Sequence, residues 1–252
     1  MMDFSMNAST PDLRTRLMAR VAASHAAEAG LVTTRRARAP HAVLAPGIMA
    51  QTLYRGAGHR PGEPLRVRLI ELAAGARLDA KALANEAVLL TRHREWLVLA
   101  GQVQSDAGCF GPRDYHVTPA GVATPGWQAD TAALLFLRES AVPSHARGST
   151  LTVRDAEAGW PEFAPGIRRR VLWAHDGQAA LLYRAEAGAA VPRHSHGHDE
   201  ECLLIDGELF LDDVLLQAGD YQLAPAGSGH QLTHTDTGVV IYAHGDLDMR
   251  FF

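Results

Sequence analysis

An internal repeat constrains the fold of this chain more than any other feature. Residues 97–121 and 203–227 align without a gap at a constant offset of 106 residues. The alignment pairs Gly101 with Gly207, and the Asp-Tyr dipeptide at 114–115 recurs at 220–221. The Pro-Ala-Gly triplet at 119–121 recurs at 225–227. Because self-similarity at a fixed offset marks duplicated structural units, the sequence predicts two tandem domains of one fold.

The apolar runs of both copies are short and are bounded by Gly, Pro and Asp at about ten-residue spacing. Runs such as 202–205, 214–216 and 239–243 are too short for helices and are rich in β-branched or aromatic residues. This pattern is typical of antiparallel sandwiches and barrels. We therefore predict an all-β fold with one domain at 33–140 and another at 150–252, joined by a linker at 141–149.

The N-terminal segment, residues 1–32, has a different pattern. Thr10 is a candidate helix cap, Pro11 suits the first helical position, and Gly30 can end the helix. Apolar residues recur at every fourth position between them: Leu13, Leu17 and Val21. We expect a short helix that packs on a barrel or on a sister subunit, or that binds a partner.

Charge and cysteine content exclude several classes of protein. The formal net charge is -4, so no overall basic field is available to bind nucleic acid or an anionic membrane. The two cysteines, Cys109 and Cys202, exclude a disulfide framework and zinc sites that need paired thiolates. No apolar run is long enough for a membrane span, and residues 1–8 do not resemble a signal peptide. We expect a cytoplasmic protein.

Histidines cluster in the second copy, where six of the 13 lie between residues 194 and 244. His194 and His196 are two residues apart, so on a strand they point to the same face about 7 Å apart and can converge on one ion. Glu200 follows four residues later, and His230 comes from a neighbouring strand after a Pro-Gly turn. Three imidazoles and one carboxylate suit a divalent first-row metal, one ion per chain.

These residues carry a family resemblance. The pattern Gly188-x5-His194-x-His196-x3-Glu200-x6-Gly207 resembles the first cupin motif. The pattern at 219–230, Gly-x5-Pro-x-Gly-x2-His, resembles the second, and His234 stands where that motif often has Asn. The resemblance implies a bicupin: two tandem cupin barrels, each a double-stranded β-helix or jelly roll, preceded by the short helix.

A narrower resemblance lies in the second copy. Residues 194–209, followed by Ala-Gly-Asp-Tyr and Ala-Pro-Ala-Gly-Ser, resemble the cupin of ChrR-type anti-sigma factors, and residues 14–23 resemble the segment that precedes it in such proteins. The resemblance implies zinc held by His194, His196, Glu200 and His230, although iron, manganese or nickel also suit these ligands. In that family a zinc domain with a Cys-x-x-Cys pair binds the sigma factor. This chain departs from that pattern, because no cysteine precedes Cys109.

Further residues could surround the ligands or line the cavity. These candidates are His198, Cys202, His234 and His244. His198 can instead lie at the solvent-facing rim, and Cys202 can be a small buried filler. Glu201 should point away from Glu200, because neighbours on a strand alternate, and we expect it at the surface.

The first copy has lost the ligands. Arg94 and Thr124 stand at the positions equivalent to Glu200 and His230. A guanidinium in place of the carboxylate would repel a metal ion, so we expect a metal-free, structural barrel. The remaining polar residues of this copy should be ordinary rim or surface residues: His93, Glu95 and His116.

Three classes of function remain open. The first is a sensory or transcription-regulating protein whose partner is a sigma factor or another regulatory protein, and the second is a non-haem metal dioxygenase acting on a small diketone or aromatic substrate. The third is a barrel that stores or binds a small-molecule ligand. A regulator should have a nearly closed site in which Leu204 and Leu223 fill the barrel, and an enzyme needs an open coordination position. We expect a homodimer.

Overall fold

The computed structural model describes residues 12–28, 30–57, 62–83, 86–141 and 150–252. The elements of the N-terminal half are α1 (Leu13–Glu28), β1 (Val32–Thr34), a 3-10 helix (Arg36–Arg38), β2 (His41–Ala45), β3 (Ile48–Arg55), β4 (Pro64–Leu72), β5 (Arg77–Leu78), α2 (Ala80–Leu83), α3 (Glu86–Leu90), β6 (His93–Ala100), β7 (Val103–Ser105), β8 (Gly108–Phe110), β9 (Tyr115–Thr118), β10 (Trp127–Ala129) and β11 (Ala133–Ser140). Those of the C-terminal half are β12 (Leu151–Val153), α4 (Asp155–Ala158), β13 (Glu162–Ala164), β14 (Ile167–His175), β15 (Gln178–Ala185), β16 (Ala190–Val191), β17 (His194–Ser195), β18 (Glu200–Leu211), β19 (Val214–Gln217), β20 (Tyr221–Ala224), β21 (Gly229–His230), β22 (Thr233–His234), β23 (Val239–Asp246) and β24 (Arg250–Phe251).

The two halves repeat one sheet topology. The large sheet of the N-terminal half has the strand order β12-β9-β6-β11-β4-β3-β2, and that of the C-terminal half contains β1-β20-β18-β23-β15-β14-β13. The strands correspond one to one along these two orders, and their pairs are antiparallel. The predicted all-β fold is confirmed, and the sequence repeat corresponds to a repeat of strand order.

Strands β1 and β12 cross between the halves, which the sequence did not indicate. β1 lies at the start of the predicted N-terminal domain but pairs with β20 of the C-terminal barrel. β12 lies at the start of the predicted C-terminal domain but pairs with β9 of the N-terminal barrel. Sheet hydrogen bonding therefore connects the two predicted domains in both directions.

Equivalent arginines anchor the two crossing strands. Nη1 of Arg35, just after β1, donates to Oδ2 of Asp220 at 2.8 Å. Nη1 of Arg154, just after β12, donates to Oδ2 of Asp114 at 3.2 Å. Because Asp114 and Asp220 are equivalent in the 106-residue alignment, both copies have kept the same anchor for the exchanged strand.

The core has parts inside each barrel and a part between the barrels. On β6, Trp96 packs inside the N-terminal barrel while its neighbour Leu97 faces the inter-barrel core. On β18, Leu204 packs inside the C-terminal barrel while Leu203 faces the inter-barrel core. The central strands are thus buried on both faces. Side chains alternate along a strand, so one face points into its own barrel and the other packs against the second barrel.

The predicted N-terminal helix is present as α1. Oδ1 of Asp12 accepts a hydrogen bond from the amide of Thr15 at 2.7 Å, so Asp12 caps the helix. The predicted cap Thr10 and first-turn Pro11 lie outside the described residues. None of the described helices is both long enough and apolar enough to cross a membrane.

Candidate metal centre

Three predicted ligands lie together at one end of the C-terminal barrel. One donor atom each from His194, His196 and Glu200 lies within 4.8 Å of the others. His230 is beside them, with ring centroids 5.5 Å from His194 and 5.3 Å from His196. β17 pairs with β21, which sets His194 directly opposite His230. The structure therefore brings all four residues together.

The hydrogen bonds of the three imidazoles determine which nitrogen carries a lone pair. Nδ1 of His194 lies 3.0 Å from the carbonyl oxygen of Pro192, and Nδ1 of His230 lies 3.2 Å from Oδ2 of Asp212. Nδ1 of His196 contacts Oε2 of Glu200. Because all three partners are acceptors, each Nδ1 carries the proton in the neutral ring and each Nε2 carries the lone pair.

Burial and charge oppose each other at this cluster. Burial lowers the pKa of His196, but the charge of Glu200, its hydrogen bond and the charge of Asp246 together outweigh burial, so the pKa lies above its ordinary value. Burial raises the pKa of Glu200, but the three histidines and the hydrogen bond to His196 together outweigh burial, so the pKa lies below its ordinary value. The carboxylate is therefore ionised at neutral pH.

The C-terminal strand lies beside the cluster. β24 pairs with β17 and sets Phe251 opposite His194, with ring centroids 6.3 Å apart. The amide of Phe252 donates to the carbonyl of Arg193 at 3.2 Å. These contacts close one side of the histidine cluster with an aromatic side chain.

The structure separates the other candidate residues from one another. His198 contacts Oδ1 of Asp246 at 2.5 Å and its side chain is 41% exposed, at the rim. Cys202 is buried beside Leu204 inside the barrel, and burial raises the pKa of its thiol. The ring of His234 stacks on Phe210 with a centroid separation of 4.8 Å.

His244 lies on the opposite side of the sheet from this cluster. The next residue, Gly245, lies against Glu200 on the ligand side of the sheet. The ring of His244 therefore points to the other side, into the inter-barrel space. Leu204 fills the C-terminal barrel as expected. Leu223 packs instead in the inter-barrel core, because its register partner on β18 is Glu201, which faces away from the ligands.

The first copy has a guanidinium at the equivalent position. Arg94 is buried, and its Nη2 donates to the carbonyls of Pro119 and Val122 at 3.1 and 2.6 Å. Its Nη1 also contacts Oγ1 of Thr124. Arg94 and Thr124 are the counterparts of Glu200 and His230, so a cationic side chain fills the position of the ligands.

A polar network that the sequence analysis missed lies between the barrels. Oε1 of Glu95 accepts from Nη1 of Arg138 at 2.8 Å, and Oε1 of Glu201 accepts from Nε of Arg138 at 2.7 Å. Tyr115 donates to Glu95 at 2.5 Å, and Tyr221 donates to Glu201 at 2.9 Å. Each of these residues is at most 1% exposed. One guanidinium thus bridges two buried carboxylates, one from each copy.

Four residues that were expected at the surface or rim are buried instead. Glu201 does point away from Glu200, but the opposite face is covered by the N-terminal barrel, so the expected surface position is wrong. His93 and Glu95 are fully buried and His116 is 3% exposed, so they are not rim or surface residues. The 106-residue alignment pairs Glu95 with Glu201, and this pairing was the sequence signal that could have indicated the network.

The comparisons with known proteins concern the fold and the C-terminal barrel. Residues 149–248 match the family model of the ChrR cupin-like domain, and this range contains all four clustered residues. The chain has an all-β cupin fold. None of the curated proteins compared with the chain matches it.

Several solved structures have a similar fold. A candidate dioxygenase from Nostoc punctiforme has a TM-score of 0.63 at 14% identity, with 86% of this chain and 83% of that chain covered. A candidate glyoxylate-induced protein from Pseudomonas aeruginosa has a TM-score of 0.63 at 13% identity, with 88% and 87% covered. A variant of oxalate decarboxylase from Bacillus subtilis has a TM-score of 0.59 at 15% identity, with 85% and 77% covered. At these identities the likeness extends to the cupin fold alone.

Proposed function

We propose that this chain is a metal-dependent regulatory bicupin of the ChrR kind, with one divalent ion in the C-terminal barrel. The ligands are His194, His196, Glu200 and His230. The observation that carries the proposal is the convergence of three of these donors within 4.8 Å, with the His230 ring beside them.

The chemistry of the donors fits such an ion. Nε2 of His196 is buried and has no hydrogen-bond partner among the described residues. An unpaired buried nitrogen costs free energy, which coordination would recover. Three neutral imidazoles and one ionised carboxylate leave a divalent site with one net positive charge. When bound, the ion would supply a Lewis acid that attracts an oxygen-bearing ligand.

Elemental analysis of the purified protein tests the metal assignment. We expect one ion per chain, with zinc as the first choice and iron, manganese or nickel as the alternatives. His230→Ala should lower the occupancy strongly. His41→Ala is the matched control, because His41 is exposed on β2 of the N-terminal barrel. Two ions per chain, or full occupancy in His230→Ala, would contradict the proposal.

The regulatory role rests on the exposed face of α1. Leu13, Leu17, Met18 and Val21 are between 41% and 79% exposed on this helix. A continuous exposed apolar stripe marks an interaction surface. We propose that a sigma factor or another regulatory protein binds this stripe, and that the chain forms a homodimer through another surface.

A charge on the stripe tests this role. Leu17→Glu should abolish co-purification of the chain with a sigma factor co-expressed from the same organism. Ala19→Glu is the matched control, because Ala19 is exposed on the opposite side of α1. Analytical ultracentrifugation of both variants shows whether the stripe instead joins two copies. Two results would contradict the proposed partner. One is loss of the dimer in Leu17→Glu, and the other is co-purification of the sigma factor with Leu17→Glu in the same amount as with Ala19→Glu.

A metal-dependent dioxygenase is the second candidate. It is favoured by the hydroxyl of Tyr183, a buried polar group inside the C-terminal barrel whose proton has no acceptor among the described residues. Oxygen uptake with diketone, flavonol and aryl-ketone substrates tests it. Turnover that survives deletion of residues 1–30 would replace the regulatory proposal.

A further inference from the structure

Tyr183 lies inside the same barrel as the proposed ligands. Its side chain is 6% exposed and packs against Leu181 and Ala243. No described residue accepts a hydrogen bond from the hydroxyl. The guanidinium of Arg169 interacts with the phenol oxygen, but it has donors only and cannot accept the hydroxyl proton. A buried hydroxyl proton without an acceptor is unfavourable, so the group is suited to donate to a bound molecule.

Arg169 is the register partner of Tyr183 on the adjacent strand β14. Its Nη1 donates to the carbonyl of Leu247 at 2.8 Å, and its Cζ lies 4.3 Å from the ring centroid of Phe163. These two contacts fix the guanidinium in position. Arginine has five N–H donors, so the bond to Leu247 leaves others for a second acceptor.

Strand β23 lies between β15, which carries Tyr183, and β18, which begins at Glu200. On the shared inner face Ile241 lies opposite Tyr183, and two small residues, Ala243 and Gly245, follow it towards Glu200. Burial raises the pKa of Tyr183 to about 12, and the charge of Glu200 adds to the rise while Arg169 opposes it. Tyr183 therefore lies within electrostatic reach of both the Glu200 carboxylate and a cationic side chain.

We propose that Arg169 and Tyr183 bind the carboxylate of a small organic acid inside the C-terminal barrel. This inference rests on the proposed metal site, whose net positive charge would add to that of Arg169 and favour an anion. The guanidinium supplies the charge and a forked set of donors, and the phenol supplies one more donor. A ligand of this class would serve as an effector of a regulator or as a substrate of an enzyme.

Full-length protein loaded with cobalt(II) tests the inference, because its visible absorption changes when the coordination of the ion changes. The probe is glycolate, titrated by absorption and by calorimetry. We expect saturable binding of glycolate, weaker binding of acetate and none of ethylene glycol. Arg169→Met should weaken glycolate binding by about tenfold or more, since a charge-assisted pair is lost. Arg168→Met is the control, because Arg168 is exposed on the other side of β14 and contacts the carbonyl of Trp160.

Tyr183→Phe separates a binding role from a structural one. It removes a hydroxyl whose proton has no acceptor, so its melting temperature without ligand should equal or exceed that of the wild type, while glycolate binding weakens by about three- to tenfold. Glycolate binding in Arg169→Met and Tyr183→Phe equal to the wild type would overturn the inference. A chain that binds cobalt but none of the acids would also overturn it and leave the metal proposal intact. A chain that takes up no cobalt would overturn both.

Discussion

Nη2 of Arg138 lies 3.3 Å from Nδ1 of His244, and the two residues hold equivalent positions in the two copies, 106 residues apart. Two arginines here would place like charges in contact inside the protein. Burial, with the charge of Arg138, lowers the pKa of His244 well below its ordinary value, so the ring is neutral. One copy thus supplies the cation that both Glu95 and Glu201 use.

Arg138→Met should destabilise the protein strongly. The change leaves two buried carboxylates, Glu95 and Glu201, without their shared cation, and breaking a buried ion pair costs about 3–5 kcal/mol. Urea unfolding at pH 7 measures the loss of unfolding free energy.

The control for this change is Arg113→Met. Arg113 pairs with Asp155 but its side chain is 40% exposed, and an exposed pair contributes about 0–1 kcal/mol. Equal unfolding free energies for the two variants would show that the inter-barrel network is not a major source of stability.

Glu201 should make stability depend on pH. Burial raises the pKa of its carboxyl above the ordinary value, even though Arg138 opposes the rise. The favourable contribution of a group with a raised pKa is fully present below the unfolded-state pKa, about 4.3, and is lost as pH rises through the folded-state pKa. Glu201→Gln should therefore gain stability relative to the wild type as pH rises through that window.

Urea unfolding of wild type and Glu201→Gln at intervals from pH 4 to pH 8 measures this difference. Glu208→Gln is the control, because Glu208 lies on the same strand and bonds Gln217 in an exposed contact. A difference between wild type and Glu201→Gln that stays constant with pH would mean that the carboxyl does not titrate in this range.

The sequence predicted the features that depend only on residues close together in the chain. The spacing of His194 and His196 predicted that the two rings converge, and they do, with centroids 5.2 Å apart, although β17 ends at Ser195 and His196 follows the strand. The face of Glu201 was also predictable, but its burial was not, because the covering surface belongs to the other copy. β1 was missed for a different reason. Three residues carry no periodicity, and its partner β20 lies near the other end of the chain.

Arg94→Met should leave the metal content unchanged and lower stability. The variant removes the donors to the carbonyls of Pro119 and Val122, and each buried acceptor left unpaired costs about 1–3 kcal/mol. No ion should enter the first barrel, because that copy lacks the pair of histidines at 194 and 196. Elemental analysis and urea unfolding check both points, with exposed Arg77→Met as the control. A second ion per chain in Arg94→Met would mean that the guanidinium alone keeps the first barrel metal-free.

Asp212→Asn should weaken metal binding without changing the ligands themselves. Oδ1 of Asp212 accepts from the amides of Gln231 and Leu232 at 2.7 and 3.0 Å, and Oδ2 faces Nδ1 of His230 at 3.2 Å. Asparagine keeps an acceptor for the two amides and tolerates the positive φ of 55° at this position. Its amide nitrogen, however, cannot accept the proton of His230.

Loss of that acceptor should lower metal affinity about 10- to 100-fold, because a hydrogen-bonded carboxylate orients a ligating imidazole and raises its basicity. Competition with a chromogenic chelator measures the affinity. Asp236→Asn, a neutral change at an exposed position, is the matched control. If Asp212→Asn binds the ion as tightly as Asp236→Asn does, His230 either needs no orienting partner or is not a ligand, and occupancy of His230→Ala distinguishes these two results.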